Sequence, residues 1–146
     1  MRYFIDAEFN GFGGALISLA LVPEDRDAAP FYAAVECAEP TAWVREHVLP
    51  VLAIDPVTPE ELSLALAYYL RNDEYPLLVA DWPEDIALAA RAMVLGPGRR
   101  VNLDRAGFEL CDAIGFDAAA LSAVPHNAYH DAVALRDFRL RREGKA

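Results

Sequence analysis

At 146 residues the chain has the length of one domain, enough to bury roughly two-thirds of its unfolded surface. Its composition, 55% hydrophobic and 10% aromatic, fits a globular α/β protein, and no segment approaches the ~20 apolar residues of a membrane span. The net charge of −10 at first argues against a nucleic-acid partner, although the basic residues gather late: residues 1–98 carry five Arg against sixteen acids and residues 99–146 carry eight Arg or Lys against seven.

Tyr3, Phe4 and Ile5 open a first strand over residues 2–6. The "NGFGG" of Asn10 to Gly14 follows as a turn, because glycine supplies the positive φ of tight connections. Apolar runs at 15–22 and 31–36 predict a second and third strand, and the short connections make the three an antiparallel meander. A helix over 41–52 ends at Pro50. In "TPEELSLALAYYLRN" the next helix has Thr58 as N-cap, Pro59 in first position and Glu61 closing a capping box. Residues 75–81, "YPLLVAD", read as a central strand buried on both faces. A helix over 84–93, a fifth strand over 99–103 and a final amphipathic helix from Ala128 complete the chain. The expected architecture is a single α/β domain, a mixed five-stranded sheet flanked by helices on both faces. Cys37 and Cys111 stand apart with no metal-ligand spacing, so both read as small core residues or free thiols of a reducing, cytoplasmic setting. The start of the chain also lacks the basic and small-residue pattern of a signal peptide.

Four carboxylates disturb this pattern. Asp6 and Glu8 are two apart and therefore share a face of the first strand. Asp131 falls on the apolar stripe of the final helix, three after Ala128 and four before Leu135. Asp85 lies one turn before Ala89, at the edge of the inward face of its helix. Buried carboxylates are normally paired, protonated or bound to metal, and hard oxygen ligands gathered at strand and helix ends suit Mg²⁺ or Mn²⁺. His126, in the loop capped by Asn127, is placed to accept a proton at neutral pH, whereas His130 lies off the stripe and is expected to face solvent.

The D-x-E on the first strand, a later Asp after a buried strand, and the H-x-x-x-x-D that enters the last helix together resemble the DEDD (DnaQ-like) 3′–5′ exonuclease superfamily, in its histidine-bearing branch. "FIDAEFNGFGGALISLALV" is most similar to the small exoribonucleases of the RNase AS type. The first and third motifs are specific. The middle one differs, since relatives often carry an Asn and an aromatic before the second Asp and this chain reads "ADWPEDIA". Asp81 and Asp85 compete there. Asp81, with Pro83 and Glu84 after it, reads as a helix cap, which leaves Asp85 as the ligand.

The resemblance implies a ribonuclease-H-like fold and a two-metal phosphodiester hydrolase. Asp6 bridges two Mg²⁺ or Mn²⁺ ions, Glu8, Asp85 and Asp131 complete their shells, and His126 acts as general base. It also implies release of nucleotides from the 3′ end of single-stranded or short RNA, with DNA open, and a homodimer. Phe9, Asn10 and Phe12, beside the D-x-E, are the candidate substrate contacts, the aromatics by stacking. Two other readings stay open: a phosphodiesterase of very short oligonucleotides or DNA, and a ribonuclease-H-like binding module without catalysis.

Overall fold

The first strand, β1 (Arg2–Phe9), is buried on both faces at Tyr3, Phe4 and Ile5, buries Ala7 beyond them, and carries Asp6 and Glu8 near its end. The computed structural model describes residues 1–145. After β1 come β2 (Leu16–Pro23), β3 (Phe31–Ala34), α1 (Ala42–His47), a 3₁₀ turn (Leu49–Val51) and α2 (Pro59–Leu70). Next are β4 (Leu77–Ala80), α3 (Pro83–Ala92), β5 (Val94–Gly96), β6 (Arg99–Arg100), β7 (Gly107–Leu110), α4 (Ala118–Leu121) and α5 (Ala128–Arg142). The main sheet has the order β3-β2-β1-β4-β7. β1 and β3 run antiparallel to β2, while β1, β4 and β7 are parallel.

Helices cover both faces. On one, Tyr3, Ile5, Leu19, Leu21 and Leu78 pack with Leu62, Leu66 and Leu70 of α2 and Ala89 of α3. On the other, Ala20 and Val22 meet Ala128 and Ala132 of α5, Phe4 and Val79 meet Leu135, and Ile17 and Ala34 meet Val44 of α1 and Val48, its C-cap. Alanine at positions 20, 128 and 132 lets α5 lie close over the middle of β1 and β2. Asp6 pairs with Ala20 in the register, so its side chain emerges beneath that helix. Ile17 is an extra residue between the Glu8–Ser18 and Phe9–Leu16 pairs. This bulge bends the hairpin at the end of β1, a device found beside functional sites.

The strands β5 and β7 and the helix α4 have no counterpart among the predicted elements, and two predicted elements take another form. Residues 99–103 do not supply the fifth strand of the main sheet: Arg99–Arg100 instead pair with β5 in a separate hairpin, which turns at Pro97 and Gly98. Val101 and Leu103 still reach the core from the following loop, which is why the segment is apolar. The fifth strand is β7, at the sheet edge, where Phe108 and Leu110 stay partly exposed. The helix expected over 41–52 stops at His47, because Pro50 allows only a tighter turn there. The Thr58 capping box of α2 is present as read, with Thr58 Oγ1 accepting from the Glu61 amide and Glu61 accepting from the Thr58 amide.

Candidate functional site

β1 ends between the first turns of α3 and α5. That position brings the predicted carboxylates together, since Asp85 lies in the first turn of α3 and Asp131 in the first turn of α5. One carboxylate oxygen from each of Asp6, Glu8 and Asp131 lies within 4.8 Å of the others. A second triad, within the same limit, is Asp6, Asp81 and Asp85. Asp6 belongs to both. The cluster occupies the carboxyl ends of the parallel strands β1 and β4, the place where open α/β sheets bind ligands.

No Arg, Lys or N-terminal amine forms an ion pair with any of the five acids among the described residues. Burial and mutual repulsion therefore push their pKa values upward. Asp6 is raised well above the ordinary carboxylate range, first by burial and then by the charges of Asp85, Glu8, Asp131 and Asp81. Glu8 is pushed up to about 8 by burial and by Asp131. Asp85 is pushed up to about 8 by burial and then chiefly by the charge of Asp81. Burial also raises Asp81 and Asp131. The two helix N-termini favour negative charge at Asp85 and Asp131, but this effect is worth only about 0.3–1 kcal/mol each.

Asp131 Oδ2 accepts a hydrogen bond from the His126 amide at 3.0 Å, whereas its Oδ1 is buried near the Ser122 hydroxyl, and neither of these two atoms has a partner within hydrogen-bond distance among the described residues. An unpartnered carboxylate oxygen inside a ring of acids is what a hard divalent cation satisfies. On that ground the donor set fits such an ion: all oxygen, all carboxylate, in two groups that share one member.

His126 stands in the predicted loop with φ +67°, a left-handed conformation that costs a non-glycine residue of the order of 1 kcal/mol. The next residue fixes that bend. Asn127 caps α5 by accepting from the Tyr129 and His130 amides, and its Nδ2 donates to the Val51 carbonyl at 2.7 Å. The His126 ring meets Trp43 edge-on at 4.9 Å, and Trp43 stacks on His47 at 4.7 Å. His130 is half-buried against Tyr129 rather than free in solvent.

The three substrate candidates have different surroundings. Phe12 is fully exposed at the tip of the turn, and Phe9 is half-buried at the end of β1. Asn10 uses its amide within the fold, donating to the Glu39 carbonyl and accepting from the Thr41 amide, both at 2.9 Å.

Asp81 is not a helix cap. The N-cap of α3 is Trp82, which makes no side-chain cap bond, and the Asp81 carboxylate joins the cluster instead. Proline at the first helical position puts the cap one residue before it, as Thr58 precedes Pro59, so "WP" already placed the cap at Trp82. Glu84 turns outward and accepts from Trp82 Nε1 and the Gly13 amide. Trp43 and His47 went unnoticed in the sequence because a six-residue helix carries too little periodicity to mark a functional face. In comparisons with known proteins, no family model and no curated protein matches the chain.

Proposed function

We propose that the chain is a metal-dependent 3′–5′ exonuclease of the DEDD type, with a ribonuclease-H-like fold, that hydrolyses phosphodiester bonds of single-stranded or short RNA. The observation that carries this reading is the pair of carboxylate triads joined at Asp6, at the end of the strand that bears the D-x-E. Glu8 and Asp131 would hold one Mg²⁺ or Mn²⁺ ion with Asp6, and Asp81 and Asp85 the other. When bound, two hard divalent cations supply the positive charge and Lewis acidity that phosphodiester hydrolysis requires, in a protein otherwise too acidic to hold a phosphate.

The protein's own residues supply the rest. The His126 imidazole accepts a proton from the attacking water, in a loop whose course Asn127 and the Asp131 carboxylate fix. Phe12, fully exposed on a turn tied to Glu84 through the Gly13 amide, offers a stacking surface for an unpaired base. The resemblance that suggests the activity also suggests a homodimer, which light scattering tests.

The deciding experiment incubates 5′-labelled RNA and DNA oligomers with Mn²⁺ and resolves the products by length. Progressive shortening that EDTA abolishes is the expected result, with RNA degraded faster than DNA. Undiminished cleavage in EDTA, or intact oligomers with every divalent ion tried, would overturn the proposal.

A further inference from the structure

Three aromatic rings meet at the edge of the carboxylate cluster, and only one has a place in the reaction above. Trp43 lies half-exposed on α1, a helix anchored by Val44 and Val48 against Ile17 and Ala34. Its indole meets the His126 ring at 4.9 Å and 81°, an edge-to-face arrangement that favours one ring orientation over the alternatives. His47 lies parallel to Trp43 at 4.7 Å and 17°, and its Nδ1 is 2.9 Å from the Trp43 carbonyl oxygen. The His126 ring is also perpendicular to His47, at 6.1 Å.

The anchoring runs both ways. α1 leads into the 3₁₀ turn whose Val51 carbonyl accepts from Asn127, the neighbour of His126. Thr41, the cap of α1, is bonded through its amide to Asn10. The backbones of Trp43 and His126 are thus fixed relative to each other, while the histidine side chain makes no hydrogen bond among the described residues. A base that accepts a proton from water needs its ring aimed before the water arrives, and among the described residues the Trp43 indole makes the closest ring contact with it.

We propose that Trp43, buttressed by His47, is a positioning residue that orients the His126 imidazole towards the carboxylate cluster. The inference rests on the proposed role of His126 as general base, but the ring orientation can be measured without any turnover. The chain has three histidines, so each ring proton can be assigned in the metal-free protein by single substitution.

The test compares Trp43→Ala and Trp43→Phe with the wild type, by nuclear magnetic resonance and by cleavage of RNA in Mn²⁺. In Trp43→Ala the His126 side chain should pass from one rotamer to an average of several, read from the coupling constants across its Cα–Cβ bond and the loss of the indole ring-current shift on its ring protons. There kcat should fall about tenfold or more, with KM changed less than about twofold. Trp43→Phe keeps an aromatic edge and should restore most of both readouts. A single His126 rotamer retained in Trp43→Ala would overturn the proposal, as would a raised KM with kcat unchanged, which would make Trp43 a substrate platform. A wild type that cleaves no RNA refutes the exonuclease reading, and the coupling constants still decide whether Trp43 holds the ring.

Discussion

His126 combines a strained backbone with the proposed role of general base, and substitution can separate the two. His126→Ala and His126→Gly should both lower kcat by about 10²–10⁴-fold, the usual worth of a general base. Only glycine relieves the left-handed backbone at φ +67°, so His126→Gly should unfold about 1 kcal/mol harder than His126→Ala in urea. Equal stability of the two would mean that the loop relaxes on substitution. Asp81 offers a second test at this scale. It adds negative charge to the triad with Asp6 and Asp85 and makes no cap bond, so Asp81→Asn should raise the melting temperature in EDTA and weaken Mn²⁺ binding by calorimetry. Unchanged Mn²⁺ affinity would place Asp81 outside the ion site. The four predicted acids were legible because each broke an apolar pattern. Asp81 was visible only as the rival of Asp85 and was set aside as a helix cap, because it ends a strand where a polar residue is ordinary.

Element by element, legibility followed the strength of local signals. The start of α2 was read to the residue from its capping box, and that of α5 from Asn127 and its apolar stripe. β7 was missed because four residues containing Gly107 and Glu109, half exposed at a sheet edge, carry neither a buried run nor a clear alternation. Its place was given to Val101 and Leu103, whose burial comes from a loop. The start of α5 also carries a bond that no sequence pattern announces, from Asn127 to the Val51 carbonyl. Asn127→Ser keeps a capping oxygen but cannot reach that carbonyl, and should destabilise the fold by about 1–2 kcal/mol in urea titration. A loss below a few tenths of a kcal/mol would show that the tether contributes little.

Across the whole molecule, β1 joins two opposite electrostatic environments. At its start, Arg2 pairs with Glu24 at 2.8 Å and Glu143 at 2.7 Å, and Lys145 adds to both, which lowers each glutamate to about 2. At its end the acids have no ion-paired Arg or Lys among the described residues, and Glu8 and Asp85 rise to about 8. A lowered carboxyl binds fewer protons folded than unfolded, so the stability from Glu24 and Glu143 is lost as pH falls from 4.5 to about 2. That slope should be shallow, because the pairs are solvent-screened. A raised carboxyl binds more protons folded, so the cluster loses stability as pH rises from 4.5 to about 8. In EDTA the melting temperature should therefore be highest near pH 4.5 and fall towards pH 8, whereas millimolar Mn²⁺ should flatten or reverse the fall. A scan in EDTA that climbs from pH 5 to pH 8 would contradict the charge state assigned to the cluster.

Because Asp6 sits in both triads, two ions held as proposed would not load as independent events. The first would displace whatever proton Asp6 holds, and the second would meet a carboxylate already ionised. Proton release should thus be unequal, larger for the first equivalent of Mn²⁺ than for the second. Calorimetric titrations in two buffers of different ionisation heat would resolve the steps, and Asp6→Asn should erase both together.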